Sequence, residues 1–242
     1  MDRFQSRGRL IAGVSYDIPG MGYENPKTGR IEGFEADLAR AMAKALLGDS
    51  DRVDLHQVTD EGRIDALQRD QVDVVISQLT ITPARAREVD FTTPYYVTRE
   101  AILVPRESDI KHFEDLKGKR IAVTAGSVSG IRMRAALPSL PGATLVVTPL
   151  SSGNLEAINK GEADAASNDM INLTLLRKGA PDPERYEIID IGDRFDPKPF
   201  GMAVKKGDAE LLARLNAAID ALKAEKQIDA MLASALASVG RG

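Results

Sequence analysis

The chain has 242 residues, of which 43% are hydrophobic and 28% are charged, as is usual for a soluble globular protein of one large domain or two small lobes. A formal net charge of −4 without any basic block argues against nucleic-acid binding, and the lack of cysteine excludes disulfides, thiolate metal sites and a cysteine nucleophile. No apolar run approaches the roughly 20 residues that a membrane span needs.

The first part of the chain predicts strands that alternate with helices. Strands are predicted at 10–14, 53–58 and 72–77, helices at 34–46 and 61–69, and a loop or hairpin at 19–30. The first helix has apolar residues at helical spacing and ends at Gly48. The third strand is a nearly continuous β-branched run, as buried parallel strands are. This order predicts a parallel sheet with crossover helices.

The second part of the chain begins with an extended segment at 95–104 that is too long for a normal loop. After a polar stretch, a second series is predicted, with strands at 120–124, 144–148 and 163–167 and helices at 129–138, 153–160 and 169–178. Another extended segment covers 200–204, and two helices close the chain. The sequence therefore predicts two α/β series and two extended connections.

The segment 77–85, with sequence SQLTITPAR, points to an anion site. We expect it to close the third strand and to open a helix, with Thr82 as the cap and Pro83 at the first helical position. The free N–H groups and the dipole of such a helix end attract an anion. Arg85 gains nothing from that dipole, so we expect its guanidinium and a threonine hydroxyl to bind a carboxylate.

Six segments occur in the order and spacing of a known family. They are GFEADLA at 33–39, SQLTITPAR at 77–85, EVDFTTPYY at 88–96, DLKGK at 115–119, ADAASND at 163–169 and FGMAVKKG at 200–207. Together they resemble family 3 solute-binding proteins, the amino-acid receptors of ABC importers, over residues 9–238. Ala36 departs from the family pattern, because a larger aliphatic residue is usual there. The segments DIPG at 17–20 and NPKTG at 25–29 are similar to the glutamate/aspartate branch.

The resemblance implies an α/β, two-lobed fold of the periplasmic-binding-protein type II, in which two Rossmann-like lobes are joined by a two-segment hinge. Lobe 1 would be discontinuous, with residues 1–98 and 202–242, and lobe 2 would comprise 99–201. The hinge crossings would lie near 97–102 and 196–202. The ligand would lie in the interlobe cleft, and the lobes would close over it by hinge motion.

The ligand's carboxylate requires a fixed cation. The resemblance supports Arg85 in this role, because its fork can bind both oxygens, with Thr80 adding a hydroxyl and a backbone N–H. Ser127 and Ser129 would clamp the same carboxylate from the other lobe. Two alternatives remain: Arg85 pairs with Glu88 or with solvent, and Ser129 is only a helix cap.

The ligand's ammonium requires a fixed anion. Asp169 follows a predicted strand, where α/β sheets place their ligands, and is the expected partner. The backbone carbonyl of Ser77 or Gln78 would accept another ammonium hydrogen. The alternative is that Asp169 only caps the helix at 169–178.

Selection of the ligand's side chain is assigned to residues near the first strand and the second helix. Arg63 matches a position that binds the distal carboxylate in some aspartate/glutamate receptors, and its alternative is an exposed helix arginine. Tyr16 and Asp17 lie at the mouth of the first strand, where Tyr16 would form a wall of the pocket or pack in the core. Ser15 occupies a position where acidic-ligand relatives often have lysine. The absence of that lysine weakens the case for an acidic ligand and admits glutamine or asparagine.

The resemblance therefore implies a non-catalytic receptor that binds a polar L-amino acid, glutamate or aspartate being favoured, and delivers it to the permease of an ABC transporter. We expect a monomer with no catalytic residues, metal, cofactor or nucleic-acid partner. The polar start at Met1 suggests an extracytoplasmic protein whose export segment has been removed, or else a cytoplasmic one. Two alternative functions are an enzyme similar to cyclohexadienyl dehydratase and a ligand-sensing domain of a larger receptor.

Overall fold

The structure, a computed structural model, describes residues 3–240. The α-helices within this range are α1 (Arg3–Arg7), α2 (Phe34–Leu47), α3 (Arg63–Gln68), α4 (Val128–Ala136), α5 (Ser151–Asn159), α6 (Met170–Gly179), α7 (Ala209–Ala224) and α8 (Gln227–Ser238). The strands are β1 (Leu10–Val14), β2 (Asp17–Ile18), β3 (Gly22–Glu24), β4 (Ile31–Glu32), β5 (Val53–Gln57), β6 (Val74–Val75), β7 (Val89–Phe91), β8 (Tyr96–Thr98), β9 (Glu100–Pro105), β10 (Arg120–Thr124), β11 (Thr144–Thr148), β12 (Ala165–Asp169), β13 (Tyr186–Asp190), β14 (Lys198–Phe200) and β15 (Ala203–Lys205). Every helix within residues 3–240 is too short or too polar to cross a membrane.

The described chain divides into two compact units. Unit 1 comprises the residues up to Val97 and those from Pro199 onward, and unit 2 comprises Thr98–Lys198. The chain therefore passes from one unit to the other twice. The strands in which it does so, β8 and β14, pair as a two-stranded sheet.

The main sheet of unit 1 has the strand order β5-β1-β6-β15-β7. The first three strands are parallel, with Leu10 opposite Val53 and Ala12 opposite Val74. Strand β15 returns late in the chain and is antiparallel to both of its neighbours. The predicted parallel sheet is thus confirmed for β5, β1 and β6, and the C-terminal strand makes the sheet mixed.

Helix α2 covers the core of unit 1 as its spacing predicts. Phe34, Leu38 and Met42 are four residues apart and fully buried, so they form one apolar face. Gly48 ends the helix in the left-handed conformation, with φ of 80°, and donates its N–H to the carbonyl of Lys44. The segment before α2, predicted as a loop or hairpin, forms the small antiparallel sheet β2-β3-β4.

Unit 2 repeats the same arrangement, with the strand order β11-β10-β12-β9-β13. Strands β11, β10 and β12 are parallel, and β9 is antiparallel to β12 and β13. The register places Asp169, the last residue of β12, opposite Glu100, the first residue of β9. Because β9 runs in the opposite direction, its start lies at the same sheet edge as the carboxyl end of β12.

Several predictions of local structure are corrected. The helix expected after Thr82 is a single 3₁₀ turn at Arg85–Arg87, because the chain enters β7 directly afterwards and pairs there with β15. The buried run at 72–77 pairs as a strand only at Val74–Val75, and the chain then turns at Gln78, whose φ is 44°. The long extended segment at 95–104 is divided into β8 and β9.

Candidate functional site

In unit 1, polar residues gather at the carboxyl ends of two parallel strands. Ser15, Tyr16 and Asp17 follow β1, and the segment 76–80 follows β6, its neighbour in the sheet. Ligands of open α/β sheets bind at this edge. The structure therefore brings together two of the segments from which ligand-binding residues are expected.

Arg85 approaches the segment after β6 from the 3₁₀ turn. Its Nη1 donates a hydrogen bond to the carbonyl of Thr80 over 2.8 Å, and its backbone N–H donates to the hydroxyl of Thr82 over 3.3 Å. Burial, followed by repulsion from the nearby charge of Arg63, lowers the pKa of Arg85 to about 9. The guanidinium remains charged at neutral pH, and an anion beside it would offset both unfavourable effects.

The expected contribution of a helix dipole to this anion site is wrong. Thr82 does not cap a helix, because the element that follows is one 3₁₀ turn with Ala84 at its N-cap position. A single turn has too few aligned peptide units for a substantial dipole. The groups at this place that can bind an anion are the Arg85 side chain and the neighbouring hydroxyl and N–H groups.

Arg63 is not the exposed helix arginine of the alternative interpretation. Its residue surface is only 1% exposed, and Nη1 donates to the carboxylate of Asp60 over 2.8 Å and to the carbonyl of Ser77. Its Nε has no hydrogen-bond partner among the described residues. The guanidinium thus supports the backbone of the 77–80 segment and keeps one buried donor unused.

Glu35 is a buried residue of this region whose role was not predicted. Its Oε1 accepts the backbone N–H of Gln78 over 2.6 Å and the hydroxyl of Tyr95 over 2.5 Å. Its Oε2 lies 3.4 Å from the hydroxyl of Ser15. Burial and then the Glu35 charge raise the pKa of Tyr95 well above its usual value. The signal in the sequence was an acidic residue on the apolar face of α2, which is unfavourable unless it is paired.

Replacing Glu35 by alanine should lower the free energy of unfolding by about 2–5 kcal/mol, because two buried donors, the N–H of Gln78 and the hydroxyl of Tyr95, would lose their acceptor. Urea denaturation measures the change. Glu210→Ala removes an exposed glutamate of unit 1 and should shift the midpoint little. Equal midpoints for the two variants would show that Glu35 does not hold the segment.

Tyr16 and Asp17 are half-buried residues that lead into the β2–β3 hairpin. The carbonyl of Tyr16 accepts the N–H of Glu24 over 2.8 Å, and Asp17 pairs with Tyr23 across the hairpin. Their backbone is therefore fixed beside the carboxyl end of β1.

In unit 2, the two candidate serines have different roles. Ser127 caps α4, since its Oγ accepts the N–H of Gly130 over 3.0 Å and donates to the carbonyl of Thr124 over 2.7 Å. The alternative in which Ser129 is the cap is therefore wrong. Ser129 lies in the first turn of α4, and its buried hydroxyl is 2.7 Å from the ammonium of Lys198.

Asp169 ends β12 and caps α6. Its Oδ1 accepts the N–H of Asn172 over 2.9 Å, which confirms the capping role, and its Oδ2 lies 3.8 Å from the ammonium of Lys198. The carboxylate is buried and combines a structural partner with a charged neighbour.

Lys198 and Glu100 join these residues in a buried charged cluster that was not predicted. Lys198 is 2% exposed, and its ammonium lies 3.6 Å from Oε2 of Glu100. The buried Glu100 also accepts the hydroxyl of Ser167 over 3.1 Å and Nη1 of Arg132 over 3.4 Å. We call the six residues the Lys198 cluster: Lys198, Glu100, Asp169, Arg132, Ser129 and Ser167. A charged residue at the start of the apolar strand β9 was the available signal for Glu100.

Both units are open α/β sheets with three parallel strands, antiparallel strands added on one side, and charged groups at the carboxyl ends of the parallel strands. This architecture defines a periplasmic-binding-protein fold. Residues 10–236 match the model of the bacterial extracellular solute-binding proteins, family 3, and the chain belongs to that family.

Known proteins similar to this chain support the same assignment. The ABC transporter glutamine-binding protein GlnH of Bacillus subtilis (strain 168) is 32% identical over 222 residues, which cover 91% of this chain and 78% of that protein. A structure of an ancestral arginine-binding protein bound to arginine has a TM-score of 0.84 at 32% identity, covering 94% of this chain and 98% of the other. The ancestral amino acid-binding protein AncCDT-1, a precursor of cyclohexadienyl dehydratase, has a TM-score of 0.85 at 32% identity, covering 97% and 98%.

Proposed function

We propose that this protein binds an α-amino acid outside the cytoplasm and delivers it, as a monomer, to the permease of an ABC transporter. The observation that carries the proposal is the half-buried guanidinium of Arg85, oriented by the carbonyl of Thr80 at the carboxyl end of β6. The relatives support it, because they are named for the binding of glutamine, arginine or an amino acid, one of them in an ABC transporter.

The carboxylate of the amino acid is assigned to Arg85 and Thr80 of unit 1. A planar guanidinium can donate to both carboxylate oxygens, and the charge of the ligand would offset the burial of Arg85. Ser127 and Ser129 are proposed as further donors in unit 2. Because the hydroxyl of Ser127 is used by the cap of α4, we assign the backbone of this segment to the carboxylate instead.

The ammonium is assigned to Asp169, through the oxygen that does not cap α6. The carbonyls of Ser77 and Gln78 are proposed as additional acceptors. The carbonyl of Ser77 already accepts from Arg63, yet a carbonyl oxygen has two lone pairs and can accept a second hydrogen.

The side chain of the ligand is proposed to be polar, with glutamate or aspartate favoured over glutamine or asparagine. Relatives of similar identity are named for different amino acids, so this choice depends on particular side chains. Arg63 is proposed to bind a distal carboxylate through its unused Nε. Tyr16 and Asp17 are proposed to line the same region of unit 1.

A thermal-shift screen of the twenty amino acids tests the proposed function. A ligand present at about 100 times its dissociation constant should stabilise the fold by about 2.7 kcal/mol. We expect a polar L-amino acid to raise the melting temperature. Its D-isomer, and the derivative in which the α-carboxylate is converted to an amide, should leave the melting temperature unchanged. A screen in which no amino acid raises the melting temperature would contradict the proposal.

The enzyme alternative is tested with the same protein. An elimination enzyme similar to cyclohexadienyl dehydratase needs a general acid positioned over the leaving group and should release water from a prephenate-like acid. We expect no turnover, because both buried acids of unit 2 named above already have partners: Glu100 accepts from Ser167 and Arg132, and Asp169 caps α6. The likeness to AncCDT-1, itself described as an amino acid-binding protein, supports binding.

A further inference from the structure

We propose that Lys198 determines which side chain the bound amino acid carries, favouring a side-chain carboxylate over an amide and disfavouring a cationic side chain. This inference rests on the proposed function, since it assumes an amino-acid ligand with its ammonium at Asp169.

The Lys198 cluster is balanced in charge. Lys198 and Arg132 supply two positive charges, and Glu100 and Asp169 supply two negative charges. Lys198 and both carboxylates are almost completely buried. Buried charges are tolerated when they are paired, so a change of one charge in this cluster has a large effect.

The ammonium of Lys198 forms no close hydrogen bond with its carboxylate neighbours. Its one contact at hydrogen-bond distance among the described residues is the hydroxyl of Ser129, at 2.7 Å. Glu100 and Asp169 lie 3.6 Å and 3.8 Å away, which is too long for a good hydrogen bond. An ammonium has three donors, so Lys198 can form further hydrogen bonds without leaving Ser129.

Ligand binding brings a third positive charge to the cluster. When the ammonium of an amino acid pairs with Asp169, it shares that carboxylate with Lys198, and three cations are then balanced by two carboxylates. The α-carboxylate of the ligand does not supply the missing charge, because Arg85 requires it. A side-chain carboxylate restores the balance, an amide supplies only a neutral acceptor, and a guanidinium or ammonium increases the imbalance.

Lys198 and Arg63 differ in whether the ligand is expected to engage their counter-ion. Arg63 has Asp60 of its own unit as a counter-ion at 2.8 Å, and Asp60 is not assigned to the ligand. Lys198 has a counter-ion, Asp169, that the ligand itself is expected to engage. Arg63 can therefore donate to a distal carboxylate without sharing its counter-ion, whereas the charge balance around Lys198 depends on the side chain of the ligand.

Calorimetry with glutamate, glutamine and arginine tests the inference on the unsubstituted protein and on Lys198→Met. We expect the variant to lose about tenfold or more in affinity for glutamate, to change less than about threefold for glutamine, and to bind arginine more tightly. Lys198→Arg should retain the preference for glutamate. Lys205→Met, which removes an exposed lysine paired with Asp70, should leave all three affinities unchanged.

The double variant Lys198→Met/Glu100→Gln covers the case in which the single variant does not fold. It removes one positive and one negative charge, so the charges of Arg132 and Asp169 still balance, and it should still lose the preference for glutamate. Equal losses for glutamate and glutamine, or a preference of the unsubstituted protein for arginine, would overturn this inference alone. Binding of no amino acid by the unsubstituted protein would instead overturn the proposed function.

Discussion

Replacing Arg85 by alanine should abolish amino-acid binding while the protein still folds. The guanidinium is the group assigned to the ligand's carboxylate, and loss of a buried charged partner costs about 2–5 kcal/mol, or about 30-fold and more in affinity. Folding should not suffer, because the substitution also removes a cation that burial and the nearby Arg63 disfavour. Calorimetry with the amino acid that gives the largest thermal shift measures the loss.

The neighbouring Arg87 provides a matched control. It belongs to the same 3₁₀ turn but is exposed, so Arg87→Ala should bind the ligand as the unsubstituted protein does. Arg85→Lys keeps the charge and loses the planar fork, and we expect an intermediate affinity. Unchanged affinity in Arg85→Ala would show that the carboxylate binds elsewhere.

Replacing Asp169 by asparagine should weaken the binding of every amino acid by about 2–5 kcal/mol, since the ammonium would lose its charged partner. Asparagine caps helices as well as aspartate does, so the start of α6 should be preserved. Thermal unfolding should show some destabilisation, because Lys198 would lose one of its two buried counter-ions.

A second helix cap separates the two roles of Asp169. Asp208 caps α7 and accepts the N–H of Leu211 over 3.2 Å, so Asp208→Asn makes the same chemical change at a cap in unit 1. We expect it to leave binding unchanged. If Asp169→Asn also binds amino acids normally, the carboxylate of Asp169 is only a helix cap. The loss expected for Asp169→Asn is the same for all amino acids, whereas substitution of Lys198 should change the ranking of ligands.

Much of the architecture could be predicted because local patterns carry it. Strands β1, β10 and β11 have the predicted limits, and α2 ends at the predicted glycine. Strands β7 and β13 were not predicted. Strand β7 has only three residues, and β13 pairs with β9, about 85 residues earlier in the chain, so no local repeat marks either one.

Some of the candidate ligand residues could be proposed from the sequence because local patterns mark them. Arg85 and Asp169 stand beside turn and cap residues that are visible in a short segment of sequence. The role of Glu35 depends on Tyr95, 60 residues away, and that of Lys198 on Ser129, 69 residues away. Such partners cannot be assigned from spacing, because the sheet decides which distant segments meet.

The sequence by itself determined that this chain consists of two α/β series and belongs to the family 3 pattern, and it predicts Arg85 and Asp169 as the cation and the anion of a ligand site. Periodicity, turn chemistry and caps act over a few residues, so they can be recognised without the fold. Only the tertiary structure decided that Arg63 is buried and donates to the carbonyl of Ser77, that Ser127 rather than Ser129 caps α4, and that Lys198 lies beside Asp169. A buried charge is stable only through its partners, and partners that are distant in sequence become neighbours only when the chain folds.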